Sequence, residues 1–183
     1  MAVFWIGLVG WTAGELVLIR RTGAGGIASR DASTVALTLT VMAGVLAAVA
    51  AEARATRFGI AGVEWWPAAG AALLAAGFGL RVWSVRTLGR FFKFRVVVQE
   101  GHEVVESGPY ALLRHPSYTG MVLCAAGLGL LLGNWLSLVL ATLPTLVGFT
   151  IRLLGEERVL SVELGEPYRD YMGRTKRLVP GVW

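Results

Sequence analysis

Apolar residues along this chain gather into long blocks separated by short polar connections, with none of the strict alternation expected of exposed strands. Blocks at 4–19, 35–51 and 67–80 are each close to the roughly 20 residues a helix needs to cross about 30 Å of hydrocarbon. The first is interrupted by Glu15, the second carries no charge, and the third follows Trp65 and Trp66. A fourth block, 121–151, is too long for one crossing and is broken at Gly133 and Asn134, a turn pair. It predicts a tight helical hairpin with two short arms that starts and ends on the same side. The pattern therefore predicts an all-α integral membrane protein with about five transmembrane helices, the last two forming the hairpin. It is expected to be a single membrane domain, with three spans in 1–85 and a polar-rich region in 86–183.

Composition agrees with the pattern: 55% hydrophobic residues, 16% charged and a mean hydropathy of +0.63 over 183 residues. Small residues at Gly10 and Gly14, along Ala68 to Gly79, and at Gly127, Gly129 and Gly133 would let helices approach closely. The net charge of +5 and pI near 10.0 could suggest nucleic acid, but the cations cluster at the edges of apolar blocks, where lipid headgroups are the better partner. They are densest in the connection before the hairpin (Arg81, Arg86, Arg90, Lys93, Arg95, Arg114) and after it (Arg152, Arg158, Arg169, Arg174, Lys176, Arg177). This bias places the N-terminus outside and that connection and the C-terminal tail in the cytosol. No basic stretch or cleavage site marks the first block as a removable signal, so it is expected to stay as a membrane helix. The preference for arginine over lysine suggests a GC-rich genome and a bacterial cytoplasmic membrane.

Charge then separates ordinary membrane anchoring from chemistry. Cys124 is alone, and His102 and His115 are the only histidines, so no metal-ligand spacing is present. There is no nucleophile-elbow pattern for Ser-His-Asp hydrolysis. Glycine clusters at 23–26 and 127–133 lack the strand-to-helix context of a phosphate loop. Glu15, inside the first block, could be a proton or substrate contact or could simply pair with Arg20 one turn away, and the sequence assigns it to neither. The polar residues concentrate in 88–120 and 151–180. In the first block, residues 95–99 and 103–106 read as a short extended pair or irregular loop, followed by a short helix from Tyr110 that Pro116 ends. The plain reading is a membrane re-entry loop in which Arg114 snorkels, His115 caps a helix, Pro116 opens it and Tyr118 sits at the interface. In the second, Arg152 and Glu156 share a helix face at the end of an uncharged run, with Glu157 beside them. Such a pair is usually a weak surface bridge, yet ionisable groups at a membrane boundary are costly and more often functional. The tail residues Arg174, Lys176 and Arg177 read as a membrane-surface anchor. The residues alone leave both readings of the polar blocks open.

The motifs LGRFF, HEVVxxGPY, RHPSYTG entering a hairpin, RxxxEE, GEPYxxY and RLVP occur in this order between Leu88 and Pro180. In this the chain resembles the isoprenylcysteine carboxyl methyltransferase family and its phospholipid methyltransferase relatives. The resemblance implies a membrane enzyme that uses S-adenosylmethionine, releases S-adenosylhomocysteine and needs no metal. It implies a cytosolic cofactor pocket from Gln99, His102, Glu103, Val104, Val105, Tyr110, His115, Pro116, Ser117 and Tyr118. It also implies that Arg152 and Glu156, with Glu157 beside them, handle the reacting group of a lipid-like or prenylated acceptor. A carboxylate acceptor would be fixed by Arg152, whereas an amine or phenol would need Glu156 as base. Two rivals remain at this stage: an NADPH-dependent reductase resembling the sterol and steroid reductases, which share an RHPxY hairpin, and a membrane scaffold without enzymatic activity.

Overall fold

The computed structural model describes residues 2–21, 32–60, 64–92 and 103–183. They form six α-helices: α1 (Ala2–Arg21), α2 (Ala32–Arg54), α3 (Trp66–Leu88), α4 (Pro116–Leu131), α5 (Trp135–Glu163) and α6 (Glu166–Arg174). Among the described residues there is no strand beyond isolated bridges, and the protein is an all-helical integral membrane protein. Three helical segments, Thr34–Arg54, Trp66–Phe91 and Trp135–Glu163, are long and apolar enough to cross a membrane, and Ala2–Leu18 and Pro116–Leu131 are shorter apolar helices. The five predicted spans therefore match five helices, but the hairpin arms are unequal. With 16 residues, α4 covers only about 24 Å at the helical rise, whereas α5 has 29 residues and projects well beyond it.

The hairpin turn is built as its sequence requires. Gly133 adopts φ +67°, which costs a glycine little, and Asn134 caps α5 by accepting hydrogen bonds from the backbone N–H groups of Leu136 at 2.9 Å and Ser137 at 3.3 Å. The Asn134 amide also donates to the Ala55 carbonyl at 3.0 Å, and Ile60 N–H donates to the Gly133 carbonyl at 2.8 Å. The α2–α3 connection is thereby tied to the hairpin turn.

Lipid offers no hydrophobic drive between helices, so close backbone approach holds the bundle. Along the α3–α4 seam, a Cβ on Gly77 would lie 2.6 Å from the Gly120 carbonyl oxygen, and one on Gly127 would lie 2.6 Å from Leu74 N. The α2–α5 seam uses a different device. Pro144 inside α5 has no N–H to give the Leu140 carbonyl, and α2 comes so near at Gly44 that a Cβ there would lie 2.8 Å from that oxygen. Ser137 adds a hydrogen bond from its hydroxyl to the Ala48 carbonyl at 2.7 Å. Gly10 and Gly79, by contrast, face open space, so the predicted packing role does not hold for them. Cys124 is fully buried, as a small apolar residue would be.

The polar blocks differ in detail from the expectations. Residues 95–99 lie outside the described residues, and 103–106 are neither helix nor strand. The helix expected from Tyr110 to Pro116 is only a 3₁₀ turn, Gly108–Ala111, because Gly108 takes φ +57° and a single turn suffices to reach the start of α4. His115 and Pro116 do stand at the N-cap and first turn of α4.

Candidate active site

The connection into α4 is held from below by the C-terminal tail. Leu113 and Lys176 form a parallel bridge, with Arg114 N–H donating to the Lys176 carbonyl at 2.7 Å and His115 N–H to the Arg177 carbonyl at 3.1 Å. Thr119 donates its hydroxyl to the Leu178 carbonyl at 2.8 Å, and Tyr171 on α6 donates to the Tyr110 carbonyl at 2.7 Å. Burial, reinforced by the negative charge of Glu156, pushes the Tyr110 phenol far above its ordinary range. Burial does the same to Tyr168 and Tyr171. All three phenols therefore remain protonated at any working pH, and that of Tyr171 is a hydrogen-bond donor.

Glu157 is the centre of this support. It is 4% exposed, and its two oxygens accept from Arg114 Nε at 2.7 Å and Arg177 Nε at 3.0 Å, while His115 Nε2 lies 3.4 Å away without hydrogen-bond geometry. A second bond from Arg114, at 2.8 Å, reaches the Met172 carbonyl. Arg114 thus does not snorkel to the interface: a buried carboxylate and free carbonyls hold it inward. Arg177 likewise serves this clamp, whereas Arg174 makes an exposed pair with Glu106 at 2.9 Å that carries little energetic weight.

Glu156, one residue earlier and on another face of α5, looks into a cavity of about 790 Å³. This volume suits a cofactor together with part of a second ligand. Here the two polar blocks meet. Tyr118 on α4 donates its hydroxyl to Glu156 Oε2 at 2.6 Å and accepts from Arg152 Nε at 3.1 Å. Its ring stacks on His115, with centroids 5.4 Å apart and planes 5° from parallel, and packs on Phe149 at 4.7 Å. Arg152 Nη1 reaches across to Thr34 Oγ1 on α2 at 2.9 Å. Arg152 and Glu156, predicted to share a face, are joined through the Tyr118 oxygen.

On the opposite wall, Glu15 of α1 and Arg81 of α3 form a two-pronged ion pair, with Arg81 Nη2 donating to Glu15 Oε2 at 2.7 Å and Arg81 Nη1 donating to Ser117 Oγ at 2.6 Å. Arg81 is 4% exposed. One question the sequence left open is decided here, and one expectation is corrected. Glu15 pairs with Arg81 instead of Arg20, because the α1–α3 packing turns it inward. Arg81 is a buried residue inside α3, not a loop cation. The signal was present in the sequence, since a charge within an apolar run needs a partner or a function. Nothing in the sequence marked Thr34.

From this polar end the cavity turns apolar. On α1, Trp5, Leu8 and Val9 precede Thr12 and Glu15, and on α2 Thr34 is followed by Val41 and Val45. Of the predicted cofactor residues, Glu103, Val104, Val105, Tyr110, His115, Ser117 and Tyr118 line the cavity. Pro116 is buried at the first turn of α4, behind them. Gln99 and His102 lie outside the described residues. Arg152 and Glu156 line the cavity as well, whereas Glu157 sits behind it in the Arg114–Arg177 clamp. Among the described residues no group of His, Cys, Asp or Glu could hold a metal.

The residues present fit S-adenosylmethionine. Tyr110 and Tyr118 offer aromatic surface and Glu156 a negative charge to a sulfonium, within a cavity wide enough for the nucleoside.

A model of the phospholipid methyltransferase family matches residues 65–166, more than half of the chain. Protein-S-isoprenylcysteine O-methyltransferase B of Arabidopsis thaliana is 31% identical over 122 residues, 65% of this chain and 62% of that protein. Protein-S-isoprenylcysteine O-methyltransferase of Schizosaccharomyces pombe is 32% identical over 107 residues, 51% of this chain and 45% of that protein. The chain thus matches about three-fifths of the plant relative's length and less than half of the yeast one's. A solved structure of the eukaryotic intramembrane Ras methyltransferase, isoprenylcysteine carboxyl methyltransferase, superposes with a TM-score of 0.74 at 22% identity, covering 98% of this chain and 65% of that one. This likeness concerns the fold.

Proposed function

The chain belongs to the phospholipid methyltransferase family, and on that premise we propose that it is an S-adenosylmethionine-dependent methyltransferase that methylates the carboxylate of a lipid-like acceptor, as in isoprenylcysteine. One observation carries the reading: the Tyr118 oxygen joins the His115–Tyr118 turn to Arg152 and Glu156 inside a single cavity. When bound, S-adenosylmethionine supplies an electrophilic methyl group on a sulfonium. The chain's own task is then positioning, because a methyl transfer needs the two reactants in line and little else.

Arg152 fixes the acceptor carboxylate. That group is already ionised at neutral pH, with an ordinary pKa of about 4, and needs no base. Glu156 accepts a hydrogen bond from the Tyr118 hydroxyl and so turns the phenol oxygen's lone pair toward Arg152, which orients the guanidinium. The carboxylate of Glu156 also complements the positive charge near the transferring methyl. Beyond the polar end, the apolar walls of α1 and α2 accept the lipid tail and exclude water. In this reading residues 86–183 provide the catalytic face on the cytosolic side, and 1–85 provide the wall that receives the acceptor from the bilayer.

Membranes containing the protein, incubated with tritium-labelled S-adenosylmethionine, should transfer label to an organic-extractable species. Mass spectrometry should find that species shifted by one methyl group, and the label should be released by mild base as expected for an ester. Base-stable label would point to an amine or phenol acceptor and overturn the carboxylate assignment. Absence of transfer together with no thermal stabilisation by S-adenosylhomocysteine would overturn the methyltransferase itself.

A further inference from the structure

A second concavity, of about 670 Å³, lies on the other side of α1, between α1 and α3. Gly14, Val17 and Leu18 form one wall, and Phe78, Val82 and Val85 the other. Its mouth is formed by Arg86, Gly89 and Arg90. Gly89, at φ +54°, ends α3 and starts the 3₁₀ turn that carries Arg90, whose guanidinium rests 4.7 Å from the centre of the Phe91 ring. Arg86 and Arg90 are both exposed, and none of the groove's described lining residues is acidic.

Length, polarity and charge identify the occupant. From Phe78 to Arg90 the groove runs about 18 Å at the helical rise, close to the ~15 Å half-thickness of the hydrocarbon layer. Its apolar floor and paired cations at one end reproduce the profile of a single leaflet, tails below and headgroup above. Two arginines four positions apart offer forked donors to a phosphate. A neutral headgroup with its own ammonium would place a cation among cations. We infer that this groove is a binding site for an anionic phospholipid of the leaflet that faces the catalytic end, with its phosphate on Arg86 and Arg90 and one acyl chain between α1 and α3.

The position gives such a lipid a role. Gly14 is followed by Glu15, and Val82 follows Arg81; the same two helix segments that form the groove present the Glu15–Arg81 pair to the active-site cavity on their other side. Gly14 lets the Phe78 ring lie close against α1, since a Cβ there would come within 2.4 Å of it. A lipid seated in the groove therefore braces the α1–α3 contact from behind, where α1 forms a wall of the catalytic cavity.

The test uses the full chain, purified in detergent and titrated with phosphatidylglycerol or phosphatidylcholine, with bound lipid counted by native mass spectrometry and melting followed in parallel. Wild type should retain phosphatidylglycerol in preference to phosphatidylcholine and melt higher with it. Arg86→Gln/Arg90→Gln should weaken phosphatidylglycerol roughly thirtyfold, at about 1 kcal/mol for each cation, while Arg86→Lys/Arg90→Lys, which keeps both charges but loses the forks, should bind more tightly than the Gln variant and less tightly than wild type. Val82→Trp fills the groove without touching charge and should also displace the lipid. Equal retention of the two lipids by wild type, or unchanged phosphatidylglycerol binding in the double Gln variant or in Val82→Trp, overturns the site. If inorganic phosphate alone gives the full stabilisation, the groove plays no part and the lipid assignment falls.

Discussion

Replacing Tyr118 by phenylalanine removes one oxygen atom and two hydrogen bonds, to Glu156 at 2.6 Å and from Arg152 at 3.1 Å. The ring contacts with His115 at 5.4 Å and Phe149 at 4.7 Å remain. Each lost bond involves a charged partner and is worth about 1.5–3 kcal/mol. The two do not simply add, because Arg152 and Glu156 are one turn apart on α5 and can swing together once the phenol oxygen is gone. A net loss of about 2–3 kcal/mol in transition-state stabilisation is expected, which lowers kcat/KM for the acceptor about 30- to 150-fold. The donor side should be nearly untouched, since the stacked ring stays in place. Initial rates of methyl transfer against acceptor concentration give the first number, and calorimetric titration with S-adenosylhomocysteine gives the second, expected within about twofold of wild type. If kcat/KM for the acceptor stays within twofold of wild type, or if cofactor affinity falls as much as turnover, Tyr118 does not link the two halves of the site as argued.

Glu157→Gln should act on the fold, because it leaves Arg114 and Arg177 facing each other without their anion; a loss of about 3 kcal/mol is expected and should appear as a lower melting temperature in detergent. Glu15→Gln removes the carboxylate that neutralises the buried Arg81 guanidinium and should destabilise by a similar amount, whereas Glu15→Gln/Arg81→Met, which removes both charges, should recover much of the loss in a double-mutant cycle. Gly77→Ala should cost about 1–3 kcal/mol, since its methyl would meet the Gly120 carbonyl and Cys124 N at 2.6 and 2.8 Å, while Gly79→Ala, in open space on the same helix, should be neutral or mildly stabilising. Comparing those two melting temperatures separates backbone crowding from any general effect of substituting α3.

The helices and the hairpin could be read from the chain because their causes are local. Apolar block length sets the spans, Gly133-Asn134 sets the turn and its cap, and Pro116 sets the start of α4. The candidate site was also within reach as a set of residue types, since Arg152, Glu156 and Tyr118 stand out where polar chemistry meets an apolar run. Their partners were not. For Glu15 the sequence offered its neighbour Arg20 or a functional contact without choosing, and the α1–α3 contact turns it onto Arg81, 66 positions away. Arg114 looked like an interfacial cation until the tail brought Arg177 and the Met172 carbonyl to it and left Glu157 between the two guanidinium groups.

The adjacent carboxylates show the division most clearly. Sequence places Glu156 and Glu157 side by side, with Glu156 on the face of Arg152, but shows no partner for Glu157. On a helix, consecutive residues point about 100° apart, so one can face the cavity while the other faces the support beneath it. Which does which depends on where α4, the tail and α6 pack around α5, and only the folded bundle decides that: Glu156 meets Tyr118 at the cavity, and Glu157 closes the clamp behind it. By itself the sequence determined what can lie in a membrane, where it must turn and which residues are too polar to be there without purpose. The tertiary structure decided which of those charges neutralise each other and which remain turned toward a ligand, because low dielectric makes every buried charge depend on the partner that packing supplies.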